Sequence, residues 1–230
     1  MPYCEFMLTL PPRLAAVANL VRKDSFVADI GTDHAYLPIW LAENGYIRGA
    51  VASDIAKGPL DRALKNIKSS NLSDKISTAL TPGLLGIDRY LPNDICICGM
   101  GAETIIEILS AAPFVKNKSV RLILQPMTKA ELLRKWLFEN GFDIVDEDLC
   151  LDREKLYQII VAEYDNNFKT ADEFTALIGT SKIKNSIHYK EHLENVLKML
   201  TKKLEGLALA GADVEDLQTT VDKIKQEMSE

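Results

Sequence analysis

The sequence predicts an α/β fold: a Rossmann-like, mostly parallel sheet that ends in an antiparallel hairpin, followed by a small all-α coiled-coil hairpin. Three observations predict it. Short apolar runs alternate with helical patterns from the start of the chain. Two later strand patterns follow one another with no helix between them. Beyond about Lys169 the strand patterns stop. Continuous apolar strands separated by helices belong to a sheet covered on both faces.

The elements follow in order. Leu14, Val17, Leu20 and Val21 recur at helical spacing, and Pro11 and Pro12 suit the start of that helix. Strands are expected at 26–30, closed by Gly31; at 50–54; more weakly at 75–80; at 95–98, closed by Gly99; and at 120–124. Helices fill 36–44, 60–69, 103–111 and 129–140. Residues 142–148 and 156–164 have only a short polar connection, so they pair antiparallel. Leu193, Val196, Leu200, Leu204 and Leu207 form one stripe, and Val214, Leu217, Val221, Ile224 and Met228 form another. Ala210-Gly211-Ala212 breaks the helix between them, which reads as an antiparallel hairpin. The expected division is a domain over 1–166 and a helical hairpin domain over 167–230.

Bulk properties narrow the function classes. At 230 residues the chain can bury one core and carry an appendage. Its apolar runs are too short to cross a bilayer, and residues 1–10 lack the pattern of a secretory signal, so a cytoplasmic, non-membrane protein is expected. The net charge of -6 argues against a protein that coats nucleic acid, yet it leaves room for an RNA enzyme with a local basic face. Cys96 and Cys98 alternate in one strand, while Cys4 and Cys150 are isolated. That grouping is too sparse for a structural metal site, so no metal is expected.

The strongest local signal is Val27-Ala28-Asp29-Ile30-Gly31-Thr32-Asp33-His34. Open α/β sheets bind ligands beyond the carboxyl ends of their strands, at the switch point. A dinucleotide loop carries three glycines to approach a pyrophosphate. This loop has one glycine and two aspartates. Carboxylates repel a pyrophosphate but suit a ligand bearing an ammonium and a sulfonium, which favours S-adenosylmethionine over a nicotinamide dinucleotide. Asp54 ends the second strand, where an acid can bond both ribose hydroxyls or cap the next helix. Gly99-Met100-Gly101 ends the fourth strand and can line the other side of the cleft. The terminal antiparallel hairpin also fits S-adenosylmethionine-dependent methyltransferases better than a plain dinucleotide fold.

These residues resemble one family, the bacterial tRNA (adenine-22)-N1-methyltransferases. Asp29-Ile30-Gly31-Thr32-Asp33-His34-Ala35-Tyr36-Leu37-Pro38 is similar to its cofactor loop. Gly99-Met100-Gly101 and Leu122-Ile123-Leu124-Gln125-Pro126 match its next segments, and the terminal hairpin its coiled-coil appendage. The chain departs from the family at Thr81-Pro82-Gly83-Leu84, where an acid usually stands in place of Pro82. It also departs at Ala102, usually glycine, and at Met127, usually asparagine. The resemblance implies a class I methyltransferase, S-adenosylmethionine as donor, and N1 of a tRNA adenine as acceptor. With the strand ends above, the expected cofactor-binding residues are Asp29, Gly31, Thr32, Asp54, Ile55, Gly83, Leu84, Gly99, Met100 and Gly101. Arg13, Gln125 and Pro126 are expected on the acceptor side.

Methylating N1 makes the purine cationic, so a nearby carboxylate stabilises the transition state. Asp33 is the first candidate; its other readings are a bond to the cofactor ammonium or a loop cap. Tyr36 can stack on the base or pack in the loop, and His34 can orient Asp33, touch the cofactor or be structural. Because N1 pairs in a duplex, the base must be unpaired or extruded. A basic RNA-facing surface is therefore expected from Arg13, Arg22, Lys23, Lys129, Arg134, Lys182, Lys184, Lys190, Lys198, Lys202 and Lys203. Methylation of another RNA or of a small molecule, and a non-catalytic RNA-binding role, stay open from sequence.

Overall fold

The computed structural model describes residues 9–229; Cys4 and most of residues 1–10 lie outside the described residues. The strands are β1 (Phe26–Ile30), β2 (Gly49–Asp54), β3 (Ile76–Leu80), β4 (Asp94–Met100), β5 (Arg121–Pro126), β6 (Phe142–Asp152) and β7 (Lys155–Tyr164). They form one sheet in the order β3-β2-β1-β4-β5-β7-β6. All pairings are parallel except those of β7, which runs antiparallel to β5 and β6. The α-helices are α1 (Pro12–Leu20), α2 (Tyr36–Glu43), α3 (Lys57–Ser69), α4 (Ala102–Ser110), α5 (Ala130–Glu139), α6 (Glu173–Ile178), α7 (Tyr189–Leu209) and α8 (Glu215–Glu227).

Two apolar layers sandwich the sheet, which is why β1, β4 and β5 read as unbroken apolar runs. On one face, Ala28, Ile95, Leu122 and Ile160 pack against α4 and α5. On the other, Val27, Cys96, Ile123 and Val161 pack against α1, α2 and α3. Strand order reverses between β1 and β4, so a cleft opens above their carboxyl ends. A third apolar cluster joins Leu177 and Ile178 of α6 to Leu193, Val196 and Leu200 of α7 and Val221 and Ile224 of α8. This is the helical hairpin that the two stripes anticipate.

A bulge in β6 organises the far side of the sheet. Ile144 pairs with Ala162 and Asp146 with Val161, so Val145 is an extra residue. An extra residue swaps the side-chain alternation beyond it. Phe142 and Ile144 face α5; past the bulge, odd-numbered Glu147 takes over that face and even-numbered Asp152 turns toward α1. Glu147 meets Arg134 of α5, and both side chains are buried. The guanidinium donates to Glu147 Oε1 at 2.7 Å, to Gln158 Oε1 at 2.7 Å and to the Ala176 carbonyl at 3.0 Å. Glu147 Oε2 accepts from the Thr180 N–H at 2.6 Å. This network ties α5 and the β6–β7 hairpin to the segment that leads into α7. Buried His192 of α7 lies beside it, and burial together with the Arg134 charge lowers its pKa to about 4.

The β6–β7 turn is two residues long, with Asp152 paired to Lys155. Arg153 (φ 48°) and Glu154 (φ 64°) both adopt left-handed backbone, the geometry of a turn that favours Asn-Gly. A side chain pays roughly 1–2 kcal/mol for that conformation. The double substitution Arg153→Asn and Glu154→Gly is therefore expected to stabilise the protein by about 1 kcal/mol, read as a higher urea midpoint. An unchanged or lower midpoint would contradict this.

Candidate cofactor and acceptor site

The cofactor loop leaves β1 at Gly31, whose φ of 77° suits glycine. Its N–H and that of Thr32 donate to the Ser53 carbonyl at 2.9 Å, stitching the loop to the end of β2. Thr32 Oγ1 accepts from the Ala35 N–H at 3.1 Å, which starts α2 without any other side-chain cap. Asp29 is buried near the mouth of β1. Burial raises its pKa to about 6, against a partial offset from the Thr32 side chain, and the Asp54 charge raises it further. Asp54 accepts from the Ala56 N–H at 2.7 Å. This bond fixes the residue just ahead of α3, which begins at Lys57, earlier than periodicity suggests.

Gly31 lines two cavities. One, of about 470 Å³, is mostly apolar and includes Asp54, Ile55, Pro82, Leu84, Leu85 and Met100 in its lining. The other, of about 200 Å³, includes Arg13, Asp29, Thr32, Asp33, His34 and Tyr36. Two acids flanking a glycine with an apolar cavity on one side fit a ligand with a flat ring at one end and cationic groups at the other. A Cβ on Gly31 would lie 2.1 Å from Met100 Cε, a contact the flexible methionine can relieve, so it is the left-handed φ that calls for glycine here.

A methyltransferase-domain family model matches residues 10–160. The tRNA (adenine(22)-N(1))-methyltransferase of Bacillus subtilis is 31% identical over 207 residues, 85% of this chain and 87% of that protein. The chain belongs to the tRNA (adenine-22)-N1-methyltransferase family. Its fold agrees over nearly full length with solved members. The B. subtilis m1A22 tRNA methyltransferase superposes with a TM-score of 0.79 at 30% identity, covering 96% of this chain and 97% of that one. The M. capricolum enzyme, solved with the cofactor product S-adenosylhomocysteine, superposes with a TM-score of 0.78 at 30% identity, covering 97% and 98%.

In this family member the expected residues take distinct places. Asp29, Gly31, Thr32, Asp54, Ile55, Gly83, Leu84 and Met100 line the two cavities. Gly99 lines a third cavity beside Arg13. Gly101 is the N-cap of α4 and faces Thr128. Asp33 is exposed and paired with Arg62 of α3, and His34 Nε2 lies 3.2 Å from its second oxygen. The Tyr36 ring stacks on His34, with centroids 4.9 Å apart, so one of its faces is already covered.

Several placements differ from the sequence reading. Gln125 and Pro126 are not beyond β5 but are its last residues, and both are buried. Gln125 Oε1 accepts from the Gly99 N–H at 3.1 Å and so props the end of β4. Arg134 is not on an RNA-facing surface; it is fully buried in the network with Glu147. Arg22 bonds buried Asp94 at the amino end of β4, away from the cleft. Lys129 pairs with Glu103, and Lys184 with Glu227. Lys182, Lys190, Lys198, Lys202 and Lys203 are exposed.

Sequence reasoning missed the contribution of α4. Thr104, Glu107, Ile108 and Ala111 line the larger cavity. Their spacing marks one helix face beside the buried stripe of Ala102, Ile105 and Leu109, so periodicity held the signal. Among the described residues, no group suited to hold a metal occurs. Also among the described residues, no helix is long and apolar enough to cross a membrane.

Proposed function

We propose that the chain transfers the methyl group of S-adenosylmethionine to N1 of adenine 22 in tRNA. The observation that carries the reading is the pair of cavities meeting at Gly31, one lined by Asp54 and the other by Asp29, in a member of this family. Residues 1–166 form the catalytic unit and residues 167–230 the helical unit. The bound donor supplies an electrophilic methyl, which adenine N1 takes by in-line displacement. Asp29 holds the donor's ammonium end, with Thr32 beside it. Asp54 takes the ribose hydroxyls through the oxygen that its bond to the Ala56 N–H leaves free. Ile55, Pro82, Leu84 and Ile108 sandwich the adenine ring, and Glu107 is a second acid of that cavity beside Asp54, where the loop carries Pro82. Arg62 anchors Asp33, and with His34 and Tyr36 it keeps the loop closed over the donor. N1 already carries its lone pair, so no residue has to remove a proton first. The exposed lysines of 182–203 offer the RNA backbone a basic face.

The test is incubation with labelled S-adenosylmethionine and an unmodified tRNA transcript, followed by mapping of the methylated nucleoside. One methyl at N1 of adenine 22 is expected, with none on a transcript carrying guanine there. Transfer to another position would reject the assignment. Absence of both transfer and cofactor-induced thermal stabilisation would favour a non-catalytic protein.

A further inference from the structure

We propose that the cavity between α1 and the β6–β7 hairpin receives the acceptor base, with Asp152 as the carboxylate that takes its exocyclic amine and Tyr157 as the ring beside it. The inference rests on the methyl-transfer reading above and adds the acceptor half of the site. The cavity has a volume of about 320 Å³, and its lining includes Arg13, Gly99, Met127, Asp152, Arg153 and Tyr157. It shares Pro11 and Arg13 with the cavity that holds Asp29. It therefore adjoins the cationic end of the donor, where an acceptor nitrogen has to stand. Tyr157 lies on the α1 side with Ile159 and Val161 of β7 and pairs with Cys150 in the ladder, and the bulge at Val145 brings Asp152 to the same side.

Charge separates Asp152 from Asp33. The Asp33 side chain is 56% exposed and held by Arg62, so water and a cation already screen it. The Asp152 side chain is 11% exposed, and Arg13 Nε stands 3.9 Å away. At that distance the guanidinium attracts the carboxylate without forming a hydrogen bond to it. Among the described residues, no donor occupies its oxygens. A shielded carboxylate acts more strongly on a cation than a screened one. It accepts from the amine of adenine and repels the carbonyl oxygen that guanine presents at the same position, which selects the base.

The electron count closes without a base. The N1 lone pair forms the new bond to carbon, the carbon–sulfur pair stays on sulfur, and the positive charge passes to the purine. The Asp152 carboxylate stands against that charge, and no proton has to move in the step.

The test compares wild type with Asp152→Asn, which is isosteric. Each is given tRNA with adenine 22 and tRNA with purine, lacking the amine, at that position. With adenine, single-turnover transfer by D152N should fall about 100-fold. Cofactor affinity by calorimetry should stay within about twofold, because the carboxylate is not in the donor cavities. Removing the amine should slow wild type strongly and D152N hardly further, a coupling that a merely structural role would not produce. Asp152→Glu should recover part of the rate. A D152N rate within about threefold of wild type, or equal amine effects in both proteins, overturns the inference and leaves the methyl-transfer reading standing. Failure of wild type to methylate adenine 22 overturns both.

Discussion

Replacing Asp29 by asparagine is expected to stabilise the cofactor-free protein and to weaken S-adenosylmethionine binding at the same time. Folding lifts this carboxyl from 3.8 to about 6, chiefly by burial. At ~1.4 kcal/mol per unit the rise opposes folding by about 3 kcal/mol when the group is ionised in both states. The sign follows the protons. Between about pH 4 and pH 6 the folded chain holds a proton that the unfolded chain has released. The penalty is thus complete above about pH 6, shrinks as pH falls and vanishes below about pH 4. Asparagine has no charge to desolvate, so D29N should gain up to about 3 kcal/mol near neutral pH and little at about pH 4. Binding moves the other way. Losing a charge-assisted hydrogen bond to the donor's ammonium removes ~1.5–3 kcal/mol, or roughly 10- to 100-fold in affinity. Urea unfolding across pH and titration calorimetry read the two effects. A variant with unaltered affinity would place the ammonium elsewhere, and one with unaltered stability would deny the burial penalty.

Arg134→Met should destabilise the protein by about 3–5 kcal/mol, because it leaves Glu147 buried with no opposing charge. Gln158 and the Ala176 carbonyl also lose their donor. The damage should concentrate where the helical unit joins the sheet, so amide exchange in α6 and the start of α7 should quicken before that in β1 and β4. Adding Glu147→Leu removes the orphaned charge and should restore more than half of the loss. Restoration stays incomplete because the Thr180 N–H then lacks its acceptor. A loss below about 1 kcal/mol from R134M alone would mean that the network does not hold the two units together.

The placement of the candidate donor residues was legible because its information is local. Continuous apolar strands place Gly31, Asp54 and Met100 at strand ends, and parallel topology gathers strand ends along one edge. The acceptor half was not legible, because one extra residue in β6 decides it. Strict alternation from Phe142 would put Glu147 on the α1 side and Asp152 on the α5 side. The bulge at Val145 reverses both, and nothing in Ile144-Val145-Asp146 announces it. Arg134 was misread for a related reason. Within Leu132-Leu133-Arg134-Lys135 it looks like part of a solvated face, and its partners arrive from two later strands. The pairing of Asp33 with Arg62 joins a loop to a helix one strand further on, a contact that spacing along the chain does not reveal.

The bulged hairpin also orders events during synthesis. The larger donor cavity draws on residues 30–111, whereas the acceptor cavity waits for Asp152 and Tyr157 to reach Arg13. A ribosome adding ~5–20 residues per second delivers the first set several seconds before the second. On this timescale α1 stays uncovered on one flank until β6 and β7 dock.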